Sequence, residues 1–309
     1  MRMRNRGFGW TAAWLVLVGF LQATALIAVW RFSVRTEHGQ LVDTAALAGN
    51  TIGRDTVEPF VDRVLDAMSV ASVAAATAVI VLIALARGRV LLALVAGGLI
   101  AGANVTTQLL KHGLYRPELG VDPAREAVGN SLPSGHTTIA ASVAIALVLV
   151  LPVRARGVAG VAGAGYAALA GVATMSAGWH RPSDAIAALL VVGGWAALGG
   201  LVLLVAQRAE PGEVVEARRT NAFVAASLAL LGGLALLVSI GALNWVDTAL
   251  INPPEDMRRR DLFLFYAGSA AAITGTAALV MASVLATVHR VVPPRATPTP
   301  ALVATSTAP

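Results

Sequence analysis

Three stretches of this 309-residue chain hold side chains able to do acid–base or nucleophilic work. Asn104, Thr107, Gln108 and Lys111 are spaced i, i+3, i+4 and i+7, one stripe of a helix, and Arg116-Pro117 follows closely. Asn130-Ser131-Leu132-Pro133-Ser134-Gly135-His136-Thr137-Thr138 reads as a loop entering a helix. Pro133 fixes the approach, Ser134 is a good N-cap, and Gly135 lets a ligand come close to the backbone. A helix starting there aims free amides and the positive end of its dipole at the loop, which makes an anion site. In Gly178-Trp179-His180-Arg181-Pro182-Ser183-Asp184, Pro182 suits a first helical turn, and Asp184 sits one turn beyond His180. A carboxylate there fixes the imidazole tautomer and leaves the other ring nitrogen free as nucleophile or ligand.

Plainer roles exist for some of these residues. Asn104 and Gln108 suit interhelical hydrogen bonding, and Ser134 suits an ordinary cap, but neither role accounts for two histidines. Lysine is the sharper signal. Among 23 basic residues Lys111 is the only lysine, in a chain whose default base is arginine. A compact ammonium and a planar guanidinium, Lys111 and Arg116, suit a phosphate. Two cations, an amide-bearing helix end, one Asp-oriented histidine and one free histidine describe phosphoryl transfer. His180 attacks phosphorus and His136 protonates the leaving alkoxide. With no carboxylate pair or third histidine nearby, a metal site is poorly supported, and no metal or cofactor is expected.

The elements that position these residues follow from composition. Hydrophobic residues make up 57% of the chain, before 30 glycines are added, and charged residues 13%; mean hydropathy is +0.73. A soluble domain cannot hide that much apolar surface, so the chain reads as an all-α polytopic transmembrane bundle. The absence of cysteine removes disulfides and thiolate chemistry. Net charge is +6, but the bases are scattered, which is no nucleic-acid footprint. Eight runs reach spanning length, at roughly 10–30, 67–86, 90–110, 134–151, 157–178, 183–206, 221–243 and 262–288. Ala23-Thr24-Ala25 has the look of a cleavage site, but the apolar run continues to Trp30, which favours an uncleaved span. Small residues such as Gly160, Ala164, Gly193, Ala197 and Gly200 suit close helix packing. The tail over 289–309 is Pro-, Thr- and Ala-rich and reads as disordered.

In an up-and-down bundle, the span ends carrying Lys111, His136 and His180–Asp184 all fall on one side of the membrane. Arginine is dense and unaccompanied by acids in the amino-terminal segment (Arg2, Arg4, Arg6) and in the short loops with Arg87, Arg89, Arg154 and Arg156. Both termini are therefore placed in the cytoplasm and the reactive cluster outside. Span interiors are almost free of charge, which argues against an ion-coupled pump.

These residues resemble the type 2 phosphatidic acid phosphatase superfamily, which includes the vanadium haloperoxidases. Its motifs are Lys-x6-Arg-Pro, Pro-Ser-Gly-His and Ser-Arg-x5-His-x3-Asp. They correspond here to the stretch Lys111 to Pro117, to Pro133-Ser134-Gly135-His136, and to His180 to Asp184. The resemblance implies a six-helix catalytic region over 1–206, with two additional spans over 207–288. It further implies a phosphohistidine formed on His180 and oriented by Asp184, and His136 as general acid. Lys111, Arg116, Ser134 and the Gly135 amide would bind phosphate, and water would hydrolyse the intermediate without a metal. The implied substrate is a lipid phosphate or isoprenoid diphosphate in the cell membrane. Two departures stand out. Arg116 is nearer to Lys111 than the family spacing, which falls on Glu118, and the Ser-Arg pair maps to Ala173-Thr174. Arg181 and Arg125 are the bases left to replace the charge missing at Thr174. A soluble haloperoxidase is excluded by composition. A transporter, or a non-catalytic relative that only binds phosphate, is the rival reading.

Overall fold

The computed structural model describes residues 2–52, 59, 61, 63, 70–122, 129–206 and 215–292. Among them are nine α-helices and no strand: α1 Arg2–Val29, α2 Glu37–Ala48, α3 Val70–Ala86, α4 Val90–Gly113, α5 Gly135–Val150, α6 Val153–Ser176, α7 Pro182–Ala206, α8 Val215–Val246 and α9 Arg259–Val291. The protein is an all-α polytopic helical bundle, as composition requires. Six helices are long and apolar enough to cross a membrane: Gly7–Val34, Val90–Gly113, Val153–Ser176, Pro182–Ala206, Arg219–Ile251 and Arg259–Val291.

The expected eight spans are thus six long helices and two shorter ones, Ala71–Ala86 and Gly135–Val150. The first of these begins where the described residues resume. The second is cut at both ends by sequence, by the Ser134 cap and by Leu151-Pro152, where proline disfavours helix in the residue before it. At 1.5 Å per residue, its 16 residues reach only about 24 Å. It is mostly buried among neighbouring helices, so its length need not match a lipid core. The tail expected at 289–309 starts later than read, because α9 runs to Val291; from residue 293 it lies outside the described residues.

Helix α7 is the axis of the bundle, packed against α1, α4, α5, α6 and α9. Glycine allows these approaches. A Cβ on Gly199 would fall 2.9 Å from Val95 of α4, and one on Gly200 3.0 Å from Leu15 of α1. Helix α9, from the two additional spans, is not peripheral. Its Ile273, Val280, Met281 and Leu285 share one core with Leu99 of α4, Ile145 of α5 and Leu189 of α7. Gly160 and Gly171 of α6 let α9 in, since a Cβ there would meet Leu285 at 2.6 Å and Ile273 at 2.7 Å.

At the end opposite the reactive residues, Arg156 is 1% exposed. It donates to the Leu149, Leu151 and Val292 carbonyls, capping the ends of α5 and α9. One of the arginines counted for orientation is therefore engaged by helix ends rather than by lipid.

The short helix α2 had no counterpart in the sequence reading. Thr36 caps it by accepting the Gly39 N–H at 3.0 Å. It lies across the reactive end of the bundle, held by α9 and the 247–256 connection through Ala45, Ala46, Leu250, Met257 and Phe265. Gly49 lies so close to α9 that a Cβ would sit 2.5 Å from the Leu262 carbonyl oxygen.

Candidate active site

Helix α6 ends in a tight turn. The Thr174 carbonyl accepts the amides of Trp179 at 3.0 Å and His180 at 3.2 Å. Gly178 takes a φ of +73°, the left-handed conformation that favours glycine. The turn delivers His180 to the start of α7, where its Nδ1–H donates to Asp184 Oδ2 at 3.0 Å. The same oxygen accepts the Arg181 amide at 3.1 Å. Asp184 is fully buried, and its Oδ1 accepts no hydrogen bond among the described residues; the Ser131 hydroxyl is close by without closing one.

The loop before α5 is tied to this turn through the backbone: the Ser134 amide donates to the Asp184 carbonyl at 2.9 Å. Ser134 is fully buried, and its oxygen accepts the Thr137 amide at 3.4 Å and the Thr137 hydroxyl at 3.1 Å. Its oxygen is thus committed to the cap. Gly135 is different: nothing lies nearer to its Cβ position than Gln108 Nε2 at 4.0 Å. The Gly135 Cβ position thus has room beside it, at the helix start whose amides and dipole's positive end favour an anion. His136 borders that space, its ring 5.4 Å from that of Trp179. His180 and Lys111 are each within electrostatic reach of His136. Asn130 fastens the loop to α4 by donating to the Lys111 carbonyl at 3.3 Å. Thr107 bonds Thr138 at 2.8 Å and Asn104 reaches Ser142 at 3.5 Å, so these two polar residues join α4 to α5.

Arg116 and Arg181 converge from the other flank, each within electrostatic reach of the other and of Asp43, Asp122 and Asp184. Burial lowers the Arg116 pKa, and the neighbouring Arg181 charge lowers it further. Arg181 Nη2 donates to Asp122 Oδ2 at 3.0 Å. Helix α2 contributes two residues. Gln40 donates to the Pro117 carbonyl at 3.0 Å and so holds the Arg116-Pro117 turn. Asp43 accepts the Ser183 amide at 3.3 Å and the Ser183 hydroxyl in a short hydrogen bond, clamping the first turn of α7. Burial pushes the Asp43 carboxyl up to about 7, against the Ser183 hydrogen bond, with the Asp184 charge adding to the rise and the Arg116 and Arg181 charges opposing it.

The structure thus brings Lys111, Gly135, His136, His180 and Asp184 to one end of the bundle, with Arg116 and Arg181 beside them. Thr174 is placed otherwise: fully buried, its hydroxyl donates to the Gly171 carbonyl of its own helix at 2.8 Å. Arg125 lies outside the described residues. Among the described residues, no group of three His, Asp or Glu side chains stands together in a way that could hold a metal ion. Asp43, Gln40 and Asp122 are absent from the sequence analysis, and Ser183 appears there without a role. The one local signal for the first two was the Thr36-Glu37 helix start, which puts Gln40 and Asp43 on one face.

A helix end with free amides, flanked by cations and an Asp-oriented histidine, in an apolar helical bundle, is an arrangement suited to an anion such as phosphate. Residues 91–210 match the family model of the PAP2 superfamily. The match runs from α4 past the end of α7 and contains all three reactive stretches. No curated protein and no solved structure matches the chain. The match supports phosphatase activity on phosphate esters in general.

Proposed function

We propose that the protein is an integral membrane phosphatase that hydrolyses a lipid phosphate monoester or isoprenoid diphosphate through a phosphohistidine on His180, without a metal. The observation that carries the reading is the buried 3.0 Å contact from His180 Nδ1 to Asp184 Oδ2 beside the open N-terminus of α5. With Nδ1 committed to Asp184, the lone pair of Nε2 is the nucleophile. A phosphate over the Gly135 and His136 amides, with Lys111 and Arg116 at its other oxygens, presents phosphorus to Nε2. The N–P bond forms as the ester P–O bond breaks, and His136 gives its proton to the departing oxygen. Water then attacks phosphorus, its proton passes to His136, the N–P bond breaks, and inorganic phosphate leaves. Six apolar helices support a substrate drawn from the bilayer, and the arginine distribution supports a site on the extracytoplasmic side with both termini in the cytoplasm.

The test is phosphate release from phosphatidic acid and a polyprenyl diphosphate by the purified full chain in detergent, with and without EDTA. Release that survives EDTA, is lost in His180→Ala, and is accompanied by an acid-labile, alkali-stable phosphoprotein supports the proposal. Normal turnover by His180→Ala, or inhibition by EDTA with rescue by a divalent cation, overturns it. Specific lipid binding or transport with no phosphate release favours the transporter reading.

A further inference from the structure

Two guanidinium groups meet beside His180, and each keeps a buried N–H without an acceptor among the described residues: Arg116 Nη2 and Arg181 Nε. Arg181 is only 3% exposed. Unpaired buried donors on charged groups are costly, and two such groups side by side add repulsion. The nearby carboxylates do not resolve this. Asp184 is bound to His180 and the Arg181 amide, and Asp43 to Ser183. Asp122, at the partly open edge, reaches Arg181 through a single nitrogen, Nη2. What satisfies both guanidiniums at once is an anion with several acceptor oxygens, and the planar fork of arginine matches phosphate in that role.

We propose that Arg181 is a phosphate-binding residue of this site, paired with Arg116, and that Asp122 is the placeholder that keeps its guanidinium in position while the site is empty. The inference rests on the phosphatase reading. Arg181 is the residue after His180, and its own amide is held by Asp184, so its backbone is fixed to the His180–Asp184 pair. Thr174 is unavailable for this role, because its hydroxyl is bound to the Gly171 carbonyl and its own carbonyl closes the turn that delivers His180.

The experiment compares wild type, Arg181→Gln, Arg181→Lys and Asp122→Asn as full chains in detergent, reading kcat, KM for phosphatidic acid, orthovanadate inhibition and thermal stability. A lost charge-assisted contact should weaken vanadate binding in Arg181→Gln about tenfold or more, with KM rising alongside. Arg181→Lys should recover part of the loss. Asp122→Asn should bind vanadate as tightly as wild type or tighter, since it removes a competitor for the guanidinium. Equal losses in Arg181→Gln and Asp122→Asn would make the pair a structural salt bridge and overturn the proposal. If Arg181→Gln fails to fold, Arg181→Lys decides, and vanadate binding equal to wild type overturns it. An active wild type with Arg181 variants of unchanged KM and vanadate affinity refutes this inference alone. A wild type that neither turns over nor binds vanadate refutes the phosphatase reading with it.

Discussion

Asp43→Asn tests whether α2 is part of the site. The Asp43 carboxyl is 3% exposed, and its pKa is raised from an ordinary 3.8 to about 7. A raised folded-state value means that the fold prefers the neutral acid. The stability it contributes is therefore fully present below about 3.8 and is lost as pH climbs through about 7. At about 1.4 kcal/mol per pKa unit, the rise corresponds to roughly 4 kcal/mol once ionisation is complete. Asparagine keeps the geometry: its Oδ1 accepts the Ser183 amide and its Nδ2 donates to the Ser183 hydroxyl. It removes the titration. The stability of Asp43→Asn relative to wild type should thus grow between pH 4 and 7 and level off above. Thermal unfolding followed by intrinsic fluorescence of the six tryptophans, in one detergent across that range, measures the difference. Titrations common to both proteins cancel in it. A difference that stays constant with pH would show that Asp43 does not carry the proton the structure assigns to it.

Three further outcomes bear on the site. Asp184→Asn should keep the nucleophile but lose its fixed tautomer, lowering kcat by up to about 10⁴-fold while leaving more activity than His180→Ala; equal losses would make the carboxylate as indispensable as the ring. His136→Ala should lose about 10²–10⁴-fold on an alkyl phosphate and clearly less on an aryl phosphate, whose leaving group needs no proton; equal losses would assign His136 to phosphate binding alone. Lys111→Arg should still impair turnover, because a planar fork does not replace a compact ammonium in a fitted pocket, and a fully active variant would remove Lys111 from the site.

Much of the site is local, and local features are legible in a sequence. Ser134 caps α5 and Pro182 starts α7 because those residue types favour those positions, and His180 meets Asp184 because residues four apart share a helix face. The long apolar helices follow from hydropathy in the same way. The rest depends on contacts between distant segments. Asp43 meets Ser183 across 140 positions and Arg181 meets Asp122 across 59, and no short-range period encodes either. Helix α2 is hidden in the sequence because, at 12 residues, it falls short of the spanning length by which the other helices stand out. The bounds 134–151 expected for α5 hold to one residue at each end, but hydropathy alone does not show that this helix is mostly enclosed by protein.

The place of α9 has a consequence in time. Helix α9, synthesised after the eight other helices described here, is the one against which α2 rests, through Gly49 and the Phe265 cluster, and it also grips α6 where Tyr266 bonds Ser176 at 2.6 Å. At about 5–20 residues per second, α9 leaves the ribosome on the order of ten seconds after His180. During that interval the nascent chain holds His180 but lacks the buttress that seats Asp43 on α7. Assembly of the site is then coupled to the synthesis of α9. Chains truncated before residue 259 should accordingly insert yet release no phosphate, and co-expressing 259–309 as a separate segment should restore turnover; a truncated chain with full activity would uncouple the two.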